Sequence, residues 1–534
     1  MISPARLEAH RVQCPVDEPV FIDFRQPFSC FDFIEERFGA PAPTIHRCFS
    51  IARSKKCESF SFEKIEAIGL LASENEELAQ RGWSSSKTIC RMVFFKSRVL
   101  SNSDLQTCPA EDIVGYAIVK IDGPDAASGR PYIFESVFVK YDHPHNYVRH
   151  PTEYAFRVGS RLCSIRGVMY CQQNGCNKVC AHVALRSLIS RAVPERDVEY
   201  AVINSIAAKA YPNETYDPAN GLDALQIKAV LQHYGLKPDG IDYLNTSGGH
   251  EDSFHRDFPF QKYLYSGLES GFGALLGFKT GALGHESRHI IPVFGHTFNK
   301  DTWVSDAEAF YFQLGKGLGY IPSETWTSSF ISHDDNFGSN FCIPRLYLNP
   351  SQVDYAAGIF PAHIELMPTD ADAVAVGLLP ELIPYLDCGN KWQRRLAEAF
   401  QFTRQDYKPR IVVRSLLMSS ADYLRQVADS ADWDRNAESR ELVEAFSQVT
   451  WADEVWVVEV SLPQLFPTNE AKLGEIILNA KICPSFEEQP PGLSAFLFAR
   501  LPGAYFFKDV AHGNGGMGFI RLRSRLVSHI PVFH

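Results

Sequence analysis

The chain has 534 residues, of which 45% are hydrophobic and 22% are charged, and its 52 Lys and Arg against 63 Asp and Glu give a formal charge of −11. This length predicts two or three domains, and the composition is that of a globular protein rather than a disordered chain. The negative charge disfavours a nucleic-acid partner. Because no run of about 18 apolar residues and no signal-peptide pattern is found, we expect a cytoplasmic protein without a membrane partner.

The cysteines of this chain do not form a disulfide framework. Thirteen of them are scattered along the sequence, whereas a small secreted scaffold has a dense and even-numbered set. We therefore expect most of them to be reduced, buried and inert. A cysteine with a chemical role must therefore be identified from the residues that surround it in the sequence.

Residues 1–165 are predicted to form an α+β region. RMVFFKS, IVGYAIVKI and YIFESVFVKY are rich in β-branched and aromatic residues and predict strands. FSFEKIEAIGLLASENEELAQRG predicts a helix. The loop after the last strand carries three histidines, His143, His145 and His150, which could bind a metal. Loop histidines beside prolines are, however, usually solvated.

Residues 166–345 are predicted to form a second α+β domain, with helices first and a sheet afterwards. A short strand, RGVMY, leads through a polar turn into the helix VCAHVALRSLISRA. A second helix ends at Gly235, where a left-handed cap is expected. The runs GALLGFK, HIIPVFGHTF and FISHDDNFG then predict strands.

Residues 346–534 are predicted to form a third α+β region. CGNKWQRRLAEAFQF and SRELVEAFSQV predict helices, and EVWVVEV and GEIILNA predict strands. We identify no catalytic constellation in this region. The sequence thus predicts a three-part α+β protein in which residues 166–345 carry the chemistry.

The strongest local signal is QQNGCNKVCAHVAL, in which a polar, glycine-containing turn leads into a helix that begins near Cys180. A thiol at a helix N-terminus experiences the positive end of the helix dipole, which favours the thiolate form and activates the nucleophile. The backbone N–H of Cys180 and an upstream glutamine could stabilise an oxyanion. Gln173 is the preferred glutamine, and Gln172 is the alternative.

A cysteine nucleophile needs an imidazole base and a third group that orients the ring. His289 opens an apolar strand and is the preferred base, with His296 and His285 as alternatives. The strand FISHDDNFG ends in acids at a glycine turn, which is where an orienting carboxylate would lie. For this third group Asp334 is preferred, and the alternatives are Asp335, Asn336 and Asp306.

These segments resemble papain-like cysteine peptidases, in particular the bacteriocin-processing peptidases that remove double-glycine leaders. The order of Cys180, His289 and Asp334 matches that family, as does a glutamine several residues before a cysteine that starts a helix. Ala181 and His182 stand where the family usually has Gly and Pro. The resemblance covers about a third of the chain and implies a thiol protease that acts on a protein or peptide substrate without a cofactor.

Three other interpretations of the same residues are open. One is a structural zinc site, although the spacing of its candidate ligands matches no common zinc module. The candidate ligands are Cys163, Cys171, Cys176, Cys180 and His182. Another is a catalytically inactive papain-like module that binds a partner. The third is an acyltransferase with the same Cys-His machinery, because hydrolysis and transfer share one thioester.

Overall fold

A computed structural model of the chain describes residues 12, 15–25, 28–39, 42–85, 89–125, 128–140, 146–196, 198–249, 251–280, 287–298, 312–315, 318–386, 391–406, 410–429, 438–466, 471–485, 487–488, 492–508, 517–521 and 528–529. The chain folds into two compact units and passes between them several times. Unit 1 comprises Met1–Glu251, Gly271–Gly295 and Phe330–Ile359, and unit 2 comprises Asp252–Ser270, His296–Ser329 and Phe360–His534.

The structure contains both helices and mainly antiparallel sheets, which agrees with the predicted α+β class. The helices are α1 (Cys30–Phe38), α2 (Pro43–Ser54), α3 (Leu70–Gln80), α4 (Asn102–Thr107), α5 (Cys180–Ala192), α6 (Tyr200–Ala210), α7 (Ala224–His233), α8 (Asp252–Asp257), α9 (Phe260–Glu269), α10 (Pro368–Leu382), α11 (Lys391–Asp406), α12 (Ser420–Ala428) and α13 (Glu438–Ser447). In the described part of the chain, none of these helices is both long and apolar enough to cross a lipid bilayer.

The strands lie between these helices along the chain, often several in succession. They are β1 (Val20–Asp23), β2 (Ser59–Ile65), β3 (Ser84–Ser85), β4 (Ile89–Phe95), β5 (Ile113–Gly123), β6 (Arg130–Phe138), β7 (Asn146–Tyr147), β8 (Thr152–Val158), β9 (Arg161–Tyr170), β10 (Leu236–Asp242), β11 (Ala274–Thr280), β12 (Ser287–Phe298), β13 (Phe312–Gly315), β14 (Leu318–Pro322), β15 (Thr327–Asp334), β16 (Gly338–Pro344), β17 (Val353–Pro361), β18 (Val412–Ser419), β19 (Glu454–Ser461), β20 (Ala471–Lys472), β21 (Gly474–Asn479), β22 (Phe496–Leu501), β23 (Ala504–Lys508), β24 (Met517–Arg521) and β25 (Ser528–His529).

Unit 1 is built on two sheets. The first has the order β1-β2-β4-β5-β6-β9-β8, and the second has the order β10-β17-β11-β12-β15-β16. Helix α5 lies in a core that contains residues of both sheets, for example Tyr116 of the first and Leu275 of the second. The opposite face of the first sheet packs against α1 and α2 through a cluster of phenylalanines. The N-terminus of α5 is therefore held by a continuous hydrophobic core.

Unit 2 is built on one large sheet, in which β13, β14, β18, β19, β21, β22, β23 and β24 are hydrogen-bonded in that order. Two of the helices predicted from sequence, α11 and α13, belong to this unit, as do the predicted strands β19 and β21. A buried network links His296, Glu269, Arg414 and Glu459 within it. Because buried charges are costly unless they are paired, this network is interpreted as structural.

Two details of the chain differ from the sequence expectation. Ser59–Ile65 is strand β2, although its sequence is predicted above to be the start of a helix. Its residues alternate between faces, because Phe60 and Phe62 join one core and Ile65 joins the other, and this period of two favours a strand. The predicted borders at 165 and 345 also differ from the limits of the two units, because β9 crosses residue 165 and β17 completes the second sheet of unit 1.

Candidate active site

Cys180 is the first residue of helix α5, as the sequence predicts. The preceding residue, Val179, has an extended backbone, and its carbonyl accepts hydrogen bonds from the amides of His182 and Val183. Eight of the eleven described cysteines are buried, whereas Cys180 is partly exposed. Burial raises the pKa of the Cys48 and Cys57 thiols to about 12, which suppresses their reactivity at neutral pH.

Strand β12 brings His289 beside Cys180, since both residues line one cavity and the thiol contributes to the raised pKa of the imidazole. The strand β15 pairs with β12, and its end delivers two of the acids proposed from the sequence. The Nε2 atom of His289 is 3.1 Å from Asp335 Oδ1 and 3.4 Å from Asp334 Oδ2. Since Nε2 faces the carboxylates, Nδ1 is the nitrogen that is left for the thiol.

The two carboxylates control the protonation of His289. Burial of the ring opposes its charged form, but contacts with Asp334, Asp335 and Cys180 outweigh burial and raise the pKa of His289 to about 12. Nε2 makes no well-aligned hydrogen bond to either oxygen, so the carboxylates act mainly as ion-pair partners. A ring with this pKa holds its proton at neutral pH and can carry that proton through a reaction.

Asp334 and Asp335 have different environments. Asp334 Oδ1 accepts the backbone N–H groups of Asn336 at 2.9 Å and Phe337 at 3.2 Å, so this acid also closes the turn after β15. Although its burial opposes ionisation, these bonds and His289 lower the pKa of Asp334, whereas burial raises the pKa of Asp335. Asp335 is the nearer acid to His289, so the structure places both candidates at the ring, not Asp334 alone.

The two glutamines before Cys180 have separate partners. Gln173 Nε2 donates to Asn336 Oδ1 at 3.0 Å, which places this side chain at the turn that carries Asp334 and Asp335. The side chain of Gln172 is instead bound within the fold, because its Oε1 accepts the Thr44 hydroxyl at 2.8 Å and the Ile133 N–H at 3.0 Å. Gln173 therefore stays the candidate oxyanion donor.

The turn before Cys180 is fixed by a buried polar network. Gly175 has a φ of 77°, a conformation that favours glycine. Asn177 Nδ2 donates to Glu77 Oε2 at 2.7 Å, and the buried ammonium of Lys178 is 2.6 Å from Glu74 Oε1. Both acids come from helix α3, about a hundred residues earlier in the chain. Sequence reasoning missed this network, because no local pattern links acids on one helix to a distant turn.

The network continues into helix α5 through His182. Asn204 donates to the other Glu77 oxygen at 2.7 Å, and its Oδ1 is 2.8 Å from His182 Nε2. His182 Nδ1 accepts the Val179 N–H at 3.3 Å, so the ring is neutral and bonded on both sides. Burial lowers the pKa of His182 to about 4, which agrees with this arrangement. His182 thus holds the helix start and is not a second base.

The substitution Glu77→Gln should loosen the turn before Cys180. The glutamine amide would place an N–H group opposite Asn177 or Asn204, and both of these residues donate hydrogen bonds to Glu77. One buried hydrogen bond would therefore be lost, at a cost of about 1–3 kcal/mol of folding free energy. We expect a lower melting temperature and slower alkylation of Cys180. The matched control is Glu76→Gln, at an exposed neighbouring position, and equal behaviour of the two variants would contradict this role for Glu77.

Two other candidate histidines that the structure describes, His296 and His150, have partners elsewhere in the fold. His296 lies in unit 2, where its Nε2 is 2.9 Å from Glu269. Four candidates fall outside the described residues: His143, His145, His285 and Asp306. His150 is described, and its Nε2 accepts a hydrogen bond from Arg149 at 3.0 Å.

The predicted zinc set of Cys163, Cys171, Cys176, Cys180 and His182 is not a cluster in the structure. Both ring nitrogens of His182 are already bonded, and Cys171 is bound by Arg186 at 3.3 Å. In the described part of the chain, the group able to hold a metal ion is His289 with Asp334 and Asp335, whose ligand atoms lie within 4.8 Å of one another. A carboxylate-imidazole set of this kind would suit a zinc or iron ion.

A cavity of about 440 Å³ opens beside Cys180 and His289. Its walls come from the end of α6, the start of α7 and the strands β10, β11, β12 and β17, all of unit 1. This volume is within the range of about 300–1,000 Å³ that is usual for small-molecule and side-chain sites. A thiol and an imidazole thus lie at the edge of a space that could hold a substrate group, and the imidazole is also in contact with a pair of carboxylates.

Comparison with known proteins adds no homologue to this description. No protein-family model matches the chain, and no curated protein is significantly similar to it in sequence.

Proposed function

We propose that this chain is a papain-like cysteine peptidase, which cleaves a peptide or isopeptide bond through a thioester on Cys180. The observation that supports the proposal is the position of His289, which lines one cavity with Cys180 and has Asp334 and Asp335 within 3.4 Å of its Nε2 atom. A nucleophile, a base and an orienting acid in this order are the working parts of thiol proteases. In this proposal, the parts of the expected papain-like domain that carry the site residues belong to unit 1.

In the proposed reaction the thiol proton is held by His289, and the Cys180 sulfur attacks the carbonyl carbon. The backbone N–H of Cys180 and the Gln173 amide would bind the oxyanion. As the C–N bond breaks, His289 gives its proton to the leaving amine, and the acyl group stays on sulfur as a thioester. Water then attacks the thioester, His289 takes a proton from that water, and the sulfur leaves as the acid product is released.

Iodoacetamide at limiting dose and pH 7 should alkylate Cys180 before any other cysteine. Cys180 combines partial exposure, a helix N-terminus and a protonated imidazole neighbour, and we expect it to react at least about tenfold faster than an ordinary exposed thiol. Peptide mapping by mass spectrometry identifies the order of labelling. The exposed residues Cys342 and Cys483 are internal controls in the same sample.

The same experiment separates a thiol enzyme from a metal centre at His289, Asp334 and Asp335. If these residues hold a metal, the purified protein should contain about one metal ion per chain, and a chelator should change the labelling rate of Cys180. We expect chelation to leave that rate unchanged. Earlier labelling of Cys342 or Cys483 would contradict the assignment of the nucleophile.

A further inference from the structure

The cavity beside Cys180 has walls that suit an aliphatic chain. Leu222, Ile227 and Leu244 contribute branched side chains, and Phe278 and Tyr355 contribute aromatic rings. A substrate group with several methylenes would therefore bury apolar surface against this lining. Apolar walls alone would accept any long side chain. The charge of the lining therefore determines which charge the end of the substrate side chain should carry.

The lining of the cavity is strongly acidic. Its carboxylates are Glu214, Asp217, Asp223, Asp242 and Asp354. Arg288 is the single Lys or Arg among the described residues of the lining, and its guanidinium is already 3.2 Å from Asp354. The other cationic group of the lining, His289, is paired with Asp334 and Asp335, so no Lys or Arg of the described lining balances the remaining four carboxylates.

Two of these carboxylates are fixed in place by hydrogen bonds from uncharged donors. Asp223 accepts the Gln226 N–H at 2.8 Å and the Tyr211 hydroxyl at 2.7 Å. Asp242 accepts the backbone N–H groups of Leu244 and Asn245 at 3.1 and 3.2 Å. These bonds therefore add no positive charge to the cavity wall. The negative field of the cavity is thus a fixed feature of the fold.

We propose that this cavity binds the lysine or arginine side chain of a substrate beside the scissile bond. The methylenes of that side chain would lie on the apolar and aromatic walls, while its cationic end would meet the acidic rim. An acidic side chain would meet like charge and be disfavoured. This inference rests on the proposed peptidase function, and it adds the class of side chain that the site selects.

Three peptide vinyl sulfones that differ in one residue test this selectivity. That residue is lysine, norleucine or glutamate, placed next to the electrophile in one series and one residue further away in a second series. In at least one series, Cys180 should react with the lysine probe about tenfold faster than with the norleucine probe, and slowest with the glutamate probe. The preference should weaken at high salt because the charges at the rim are exposed to solvent.

The double variant E214Q/D217N assigns the preference to the cavity. It removes two exposed carboxylates and should reduce the lysine-to-norleucine ratio about threefold or more, whereas Glu111→Gln, an exposed acid outside the cavity, should leave the ratio unchanged. Equal rates for the three probes in both series, or a preference for glutamate, would overturn the inference. Labelling of Cys180 by iodoacetamide but by none of the three probes would also overturn the inference. If neither reagent selects Cys180, the proposed function fails first, and the inference fails with it.

Discussion

Replacing Cys180 by alanine is expected to abolish peptide cleavage, with a loss of about 10³-fold or more. The sulfur forms the covalent bond to the acyl group, so no other group in the site can complete the proposed reaction. Digestion of a proteome-derived peptide library, followed by mass spectrometry of new termini, measures this loss across many candidate substrates at once. Cys342→Ala, at an exposed thiol outside the cavity, is the matched control and should cleave the library like the unchanged protein.

The same digestion can contradict the proposed reaction. Cleavage at equal rates by the Cys180→Ala variant would show that another group does the chemistry. If that residual cleavage required a metal ion, the group of His289, Asp334 and Asp335 would be the first to test.

Replacing His289 by alanine is expected to slow the alkylation of Cys180 at pH 7 by about 100-fold. The imidazole accepts the thiol proton and stabilises the anionic sulfur, and a positioned acid-base group of this kind typically contributes about 10²–10⁴-fold. Rates measured with iodoacetamide do not depend on substrate binding, so they report the Cys-His pair directly. His363→Ala, at an exposed histidine of unit 2, is the control and should not change the rate.

An NMR titration of the His289 ring tests the role of the two carboxylates. Because Asp334 and Asp335 outweigh burial and raise the pKa of His289 to about 12, the ring should stay protonated, and its resonances should not shift from about pH 6 to 9. In the double variant D334N/D335N the pKa of His289 should fall toward its ordinary value of 6.5, so the ring should titrate within this range. A ring that still does not titrate in the variant would contradict this role.

The parts of the site that could be predicted from sequence are those encoded by local patterns. The turn and helix at Cys180 are predictable because polar turn residues precede an amphipathic run, and α5 begins at that residue. The adjacent strands β12 and β15 are predictable from their apolar starts and from the acids at the end of β15. Both patterns lie within a dozen residues, where period and turn chemistry are informative.

The remaining features depend on contacts between distant segments. Glu74 and Glu77 reach the turn before Cys180 from a helix whose sequence is that of an ordinary amphipathic element. The sequence also does not distinguish Asp334 from Asp335 as the carboxylate that contacts His289. Strand β15 ends at Asp334, so the alternation of side chains along a strand no longer applies to the next residue. In the structure both carboxylates reach the same ring nitrogen of His289.

The central claim is a thioester on Cys180, and the most direct test is to trap it. The protein would be mixed with a peptide ester carrying a lysine side chain, quenched in acid within milliseconds to seconds, and examined by intact-mass and peptide-mapping mass spectrometry. We expect one acyl group to be attached to the peptide containing Cys180, hydroxylamine to remove it, and Cys180→Ala not to form it. Turnover of the ester with no adduct at any time, or an adduct on another residue, would contradict the proposed thioester.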